Sequence, residues 1–316
     1  EGKPRLGGLS CNDTSVVIAG VFSDILSLAD TTLISLGKSD AFVAWFNQNL
    51  ELQHIGLISS PEEVEIKSVA LTKQNQTAVA GSFKGSAILA DSVLTGKGGF
   101  DLLAAVWDST AKLQWVNTAG SIGNDYGWAI APGNEGDFFV SGSFTHVLAI
   151  PGENGEMIEL QPEGFFGNTF IAKYDHRGIL KASFNLPGTS EDFVSELLIN
   201  TDNTLAAAGN FFETLLLTAY DSVSYTMEST GSKDIFTLLF KDMCAGYTID
   251  AGPDLYLCPG ETIMLEPDFT SSGFKWLPDG LPNTPLEVTQ HGSYTLMAMN
   301  AYGCIAYDTL HVELIP

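Results

Sequence analysis

Along the chain, short apolar runs rich in Val, Ile, Ala and Phe alternate with turns of Gly, Asn, Asp and Pro. Nowhere do apolar positions recur at the spacing of an amphipathic helix. The pattern predicts an all-β protein. One run recurs almost verbatim, as VVIAGVF around Gly20, AVAGSF around Gly81, FFVSGSF around Gly142 and LAAAGNF around Gly209, which places Phe22, Phe83, Phe144 and Phe211 at matching positions. A second run follows each of these: DAFVAWF from Asp40, DLLAAVW from Asp101, NTFIAKY from Asn168 and DIFTLLF from Asp234. These close on Phe46, Trp107, Tyr174 and Phe240.

The spacing divides the repeat into a fixed and a variable half. From the closing aromatic to the next repeat's glycine is 35 residues in all three cases, whereas the glycine-to-Asp or Asn interval runs 20, 20, 26 and 25. The fixed half carries a leucine (Leu52, Leu113, Leu180), an apolar patch (SVAL, WAIA, ELLI) and a polar turn at Gln74-Asn75, Glu135-Gly136 or Asp202-Asn203 whose chemistry suits a tight hairpin. Each repeat of about 61–67 residues therefore predicts four short strands, of the KLQW, WAIA, FFVSG and FIAKY types. The chain enters near Leu9 at the second of these types and leaves at the last, so it holds four copies of three types and three of the KLQW type. The variable half, which includes PGENGEMIELQPEG, is expected to form a hairpin loop on one face. The recurring glycine is expected where a strand bends or a neighbouring backbone comes too close for a Cβ. Asp40, Asp101 and Asp234, with Asn168 in the same place, are expected to cap a hairpin by accepting from backbone amides.

Such repeats are the signature of β-propeller blades. They resemble more specifically the propeller repeats of secreted and surface proteins of Bacteroidetes-type bacteria, with their Gly-x-x-Asp-x-Phe-x-Ala-x-aromatic pattern. Here that pattern reads GKSDAFVAWF from Gly37 and GGFDLLAAVW from Gly98; the third copy departs at Asn168, and the fourth, SKDIFTLLF, lacks the matching glycine. The resemblance covers about residues 8–241. It implies a β-propeller-like domain over 1–245, either a closed or nearly closed ring of four units or a piece of a larger array. In the closed ring, Cys11 and Cys244 are expected to bridge the two ends.

After Cys244 the pattern changes. Strands are predicted over 262–265, 273–277, 285–289, 293–299 and 305–314, a spacing that suggests a β-sandwich over 246–316. The opening Asp-Ala-Gly-Pro-Asp, the Leu-Cys-Pro-Gly-Glu-Thr turn, Trp276, Gly292-Ser293-Tyr294 and the Asn-Ala-Tyr-Gly-Cys ending at Cys304 resemble the immunoglobulin-like modules of polycystic-kidney-disease type found in secreted Bacteroidetes proteins. The resemblance implies a Cys258–Cys304 disulfide pinning turns, with Trp276 in the core.

Composition narrows the chemistry. Only 16% of residues are charged, against roughly 25% in an average globular protein, yet 38 acidic residues face 14 basic ones, for a net charge of −24. That balance repels phosphate backbones and anionic membranes, so no nucleic-acid partner and no membrane insertion are expected. No run approaches a membrane-spanning length. Four cysteines so placed suit an oxidising, extracytoplasmic compartment, and the start at Glu1 suits a processed or excised chain. His54, His146, His176, His291 and His311 are scattered, and there is no zinc signature, phosphate loop, GxSxG or SxxK. No catalytic, cofactor or metal residues are therefore assigned. Calcium in the acidic loops 132–137 or 153–163 is the one cofactor weighed, without EF-hand spacing. Trp45, Trp115 and Trp128 are expected in the core; gathered on one face they would offer a platform for a sugar ring. Asp-Ser/Thr sites at Thr31, Ser92, Ser109, Ser222 and Thr309 resemble O-glycosylation acceptors of the same bacteria, although shared repeat ancestry accounts for three of them without any sugar.

Together these features lead to the expectation of a non-enzymatic secreted, periplasmic or cell-surface binding or adhesion protein, with a glycan or protein ligand and the C-terminal module as spacer. The alternatives are a polysaccharide-acting enzyme with carboxylates in a central pocket, or a purely structural stalk segment of a larger adhesin.

Overall fold

The computed structural model describes residues 4–162, 167–186, 192–218, 224–241, 244, 246–267, 273–300 and 303–315. Its elements are all strands. The first unit holds β1 (Arg5–Cys11), β2 (Ser15–Phe22), β3 (Ile25–Leu28), β4 (Thr31–Ile34), β5 (Asp40–Asn47) and β6 (Leu52–Ser59). The second holds β7 (Glu63–Leu71), β8 (Thr77–Leu89), β9 (Ser92–Trp107) and β10 (Leu113–Ala119). The third holds β11 (Tyr126–Pro132), β12 (Phe138–Phe144), β13 (Leu148–Pro151), β14 (Met157–Leu160), β15 (Asn168–Tyr174) and β16 (Leu180–Leu186). The fourth holds β17 (Phe193–Ile199), β18 (Leu205–Phe211), β19 (Thr214–Thr218), β20 (Ser224–Glu228) and β21 (Asp234–Phe240).

In each unit the repeat strands pair antiparallel in chain order, as β1-β2-β5-β6, β7-β8-β9-β10, β11-β12-β15-β16 and β17-β18-β21. The predicted polar turns fall between the first and second strands, with Asn75, Gly136 and Asn203 at positive φ. The fourth unit ends at its third strand, so among the described residues nothing pairs with the outer edge of β21.

Because strand side chains alternate between faces, every unit has one side toward its predecessor and one toward its successor. Ala41, Val43 and Trp45 of the first unit share a core with Phe83, Leu103 and Trp107 of the second. Leu102, Ala104 and Val106 of the second meet Phe138, Phe144 and Tyr174 of the third, and Ile171 of the third meets Leu205, Phe211 and Phe236 of the fourth. First strands pack in series, β1 on β7, β7 on β11 and β11 on β17, and β17 makes no comparable contact with β1. The units therefore form an open stack, which corrects the first of the two expected arrangements, the closed or nearly closed ring of four units.

The variable halves are hairpins, but they do not stand out as free loops on one face. The tip of β8–β9 lays Ala87, Leu89 and Leu94 on the first unit and pairs Leu89 with Ile58. The β13–β14 hairpin lays Leu148, Ile150, Ile158 and Leu160 on the second, and Leu215 of β19 joins the core of the third. Their length is free to vary because only the apolar side has to meet the preceding unit.

The repeat glycine has one physical cause throughout. The first-to-second strand pairing shifts register beside it in every unit, between Leu6 and Gly8, Ile66 and Ser68, Gly127 and Ala129, and Val194 and Glu196, leaving Gly7, Lys67, Trp128 and Ser195 as the extra residues. These are β-bulges, which bend the strand and bring its backbone onto the partner. A Cβ at Gly20, Gly81, Gly142 or Gly209 would run into the carbonyl oxygen of Arg5, Glu65, Tyr126 or Phe193, respectively.

The C-terminal region comprises β22 (Leu255–Leu257), β23 (Ile263–Leu265), β24 (Gly273–Leu277), β25 (Leu286–Val288), β26 (Gly292–Met299) and β27 (Ile305–Leu314), in sheets ordered β22-β27-β26-β24 and β23-β25. Trp276 is fully buried between them with Leu257, Val288, Leu296 and Val312. Of its strands only β22 lies outside the predicted set. The region docks on the third unit, where the Ser183 amide donates to the Gly303 carbonyl, Ala182 bridges to Cys304, Ile305 enters the core and the Tyr307 hydroxyl donates to Glu156.

This docking overturns both expected cystine pairings. The disulfide joins Cys244 to Cys304, 60 residues apart, and the thiols of Cys11 and Cys258 are free. Cys11 ends the first strand of the first unit, and with no ring closure nothing carries it to the far end of the stack. Cys258 follows β22, whose Leu257 pairs with Leu314. That lies ten residues along the chain from Cys304, roughly 30 Å at strand rise.

Candidate functional site

The four first strands place their bulges in register, so equivalent positions make two rows across the stack. One row reads Arg5, Glu65, Tyr126, Phe193 and the other Gly7, Lys67, Trp128, Ser195. The first two units supply charge. Arg5 and Lys67 reach Glu65 at 3.1 and 2.8 Å. Burial pushes the Glu65 carboxyl upward, but the two cations outweigh it and hold the group below the usual range.

The last two units supply rings, joined by Phe100 on β9 of the second. Phe100 lies 5.4 Å from Tyr126, Tyr126 lies 5.7 Å from Trp128, and Trp128 stacks on Phe193 at 4.8 Å. All are half-buried. The Lys67 ammonium stands 5.4 Å from the Trp128 centroid, and that of Lys233 stands 4.9 Å from Phe193 and 5.4 Å from Phe212. Trp128 is held in place by its indole N–H, which donates to the Ser143 hydroxyl at 2.8 Å. The result is a strip of flat apolar faces with one cation over its third ring, Trp128, and another at its Phe193 end, fixed by packing before any ligand arrives.

Of the three tryptophans singled out in the sequence, only Trp128 belongs to this strip. Trp45 is buried edge-on against Trp107 and donates to Thr77, and Trp115 is buried between Phe138 and Tyr174. Tyr126, Phe193, Lys67 and Lys233 were not singled out. The signal that could have found them is variability at a fixed place, because the strand position just before the residue opposite the repeat glycine reads Arg, Glu, Tyr and Phe, while the position after it stays apolar or small as Leu6, Ile66, Gly127 and Val194.

The repeat carboxylates serve the fold. Asp40 accepts from the amides of Leu36 and Ser60, Asp101 from Lys97 and Asp234 from Thr230. Asn168 occupies the same place, fully buried. Among the described residues three carboxyls are raised. Burial lifts Asp101, and it lifts Asp125 and Asp192 to about 6, with the Asp101 charge adding to the effect on Asp125. All three are closed inside the fold, where Asp125 accepts from Ser121 and Asp192 from the Phe212 amide. A cleft of about 350 Å³ between the third unit and the C-terminal region is lined by Glu135, Asp137, Asp175, Lys173 and Lys181 among others. There Lys173 pairs with Asp137 at 3.1 Å, and Arg177 helps hold Asp175 low against the effect of burial. Among the described residues no group of three or more His, Cys, Asp or Glu side chains is placed to hold a metal ion, and no helix is long and apolar enough to cross a membrane. Of the Asp-Ser/Thr residues, Thr31 and Ser92 begin the return strands of the first two hairpins, Ser109 and Thr309 are exposed, and Ser222 lies outside the described residues.

No family model and no curated protein matches the chain. One solved structure aligned to it is described as a tetra-tandem repeat in the extending region of a large adhesion protein, at 8% identity over 99% of this chain and 100% of that one, with a TM-score of 0.09. Overlap this low says nothing about fold or function.

Proposed function

We propose that the chain is a non-enzymatic, secreted or cell-surface binding protein whose recognition face is the aromatic strip that runs from the second to the fourth unit. In this reading the repeats are an opened array of propeller-type blades, and the C-terminal region is an immunoglobulin-like spacer locked to the array by Cys244–Cys304. The observation that carries it is the Phe100–Tyr126–Trp128–Phe193 row with Lys67 over Trp128 and Lys233 at the Phe193 end. Flat rings cover the apolar face of a pyranose at little entropic cost, and lysines beside them suit hydroxyl or carboxylate groups of a sugar. Two further features support recognition over catalysis. The raised carboxyls are buried as amide caps, and in the cleft Asp137 pairs with Lys173 and Asp175 with Arg177 and Lys181. A polysaccharide-acting enzyme needs an accessible carboxylate pair with one member kept protonated.

The test is a glycan-array screen of the intact chain and of Trp128→Ala, each with calcium and with a chelator. Saturable binding to a defined sugar, weakened at least tenfold in the variant and indifferent to chelation, is the expected result. A blank array in both conditions, or binding equal in the variant, overturns the reading in favour of a protein ligand or a passive spacer.

A further inference from the structure

The stack ends in two unequal faces. Three times within the chain, the successor-facing side of one unit is covered by the next, and at the fourth unit the same side is bare. Ile235 and Leu239 of β21 are 79% and 73% exposed, whereas their equivalents Ala41 and Trp45 are 0% and 8% exposed, and Leu102 and Val106 are 0% and 1%. Exposed Leu198 on β17 and the half-buried Ala206 and Ala208 on β18 extend the face. The C-terminal region leaves it open, because it docks on the third unit.

At the other end, the predecessor-facing side of the first unit is Ile18, Phe42, Ala44 and Phe46 with Leu52, Ile55 and Leu57 of β6, partly covered by the β3–β4 hairpin. These correspond to the residues with which the second and third units cover their predecessors. The fourth-strand position of Leu57, opposite Phe42, is Thr118 opposite Leu103 in the second unit and Asn185 opposite Phe170 in the third. At this position the first unit is more apolar than the second and third.

We propose that the fourth-unit face of one copy is covered by the first-unit face of a second copy, head to tail, continuing the interface that joins successive units within the chain. The surface that fits a successor-facing side is already defined three times in this molecule, and it is the predecessor-facing side of the same repeat. The contact is heterologous, so it generates a series of oligomers and not a single symmetric dimer. The net charge of −24 on each copy opposes it, and salt therefore strengthens it.

Sedimentation velocity of the intact chain across a hundredfold concentration range in 0.5 M salt tests this. The expected result is a mass distribution that grows with concentration, and Leu239→Glu and Leu57→Glu each abolish growth while keeping the circular dichroism and melting temperature of the parent. Each variant retains one working face, so an equimolar mixture of the two is expected to form heterodimers and nothing larger. A parent that stays monomeric across the range, growth unaffected by either substitution, or a mixture without heterodimers overturns the proposal. Should a glutamate variant melt early, Leu239→Ser and Leu57→Thr, the latter taken from the second unit, replace it.

Discussion

The second and fourth units are built from the same repeat and end in opposite circumstances. DLLAAVW in β9 lies between two neighbours and beside β10, and every one of its residues is buried. DIFTLLF in β21 has one neighbour and, among the described residues, no outer strand, and only its Phe236, which faces the third unit, is buried. Burial at a repeat position is therefore a property of the stack as much as of the residue. The same apolar positions that give cohesion in the interior stand in water at the open end.

The comparison is sharpened first where the open end is tied down. Cys244 is the last anchor after β21, and the disulfide closes a span of 60 residues. Its removal in Cys244→Ser with Cys304→Ser should cost about 4 kcal/mol by loop-closure entropy. Thermal melting checks the loss, and hydrogen exchange should place it in the fourth unit and the C-terminal region, with the second unit unchanged.

Next in size is the bulge glycine. Alanine at Gly81 or Gly209 meets the same obstacle, a carbonyl oxygen of the preceding strand. Gly81→Ala should cost about 3 kcal/mol of global stability, because a buried central unit has nowhere to yield. Gly209→Ala should release the fourth unit alone, seen as lost amide protection in β17, β18 and β21 at a nearly unchanged main transition. Equal global effects would break the comparison.

Core truncation comes third. Leu102→Ala should destabilise by about 2–5 kcal/mol in denaturant melts. Leu239→Ala, measured on the monomer, should stay within about 0.5 kcal/mol.

The smallest effect is the pH response. Asp125 and Asp192 are raised to about 6 from an ordinary value of 3.8. A raised carboxyl binds its proton more tightly folded than unfolded, so its stabilising contribution is complete below pH 3.8 and fades as pH rises through 6. The melting temperature should therefore rise on going from pH 7.5 to 5, and the rise should shrink in Asp125→Asn with Asp192→Asn, which resemble the protonated form at every pH.

Much of the fold was legible because repetition is visible without structure. Four copies of an apolar run with a fixed interval announced the strands, the tight turns and one missing copy of the KLQW-type strand, which the sequence pattern assigned to the start of the first unit and the strand pairing assigns to the end of the fourth. The hairpin-capping aspartates followed from turn chemistry. The candidate site was legible only in Trp128, because a half-buried aromatic on a bulged strand has the same composition as a core aromatic. Trp45 and Trp115, read alongside it, proved to be core. The cystines were misassigned because pairing depends on which chain ends meet, and the ends meet only once the stack is known to stay open.

What the sequence determined alone is local: strand identity, turn type, the glycine a bulge requires and the carboxylate a hairpin caps, each set by interactions within one repeat. The tertiary structure decided the rest: the open stack in place of a ring, the Cys244–Cys304 bond, the row of rings along the first strands and the bare face at the end. These depend on how one unit's surface meets the next, and identical repeats leave that choice to the small differences in side-chain volume and charge that accumulate across the stack.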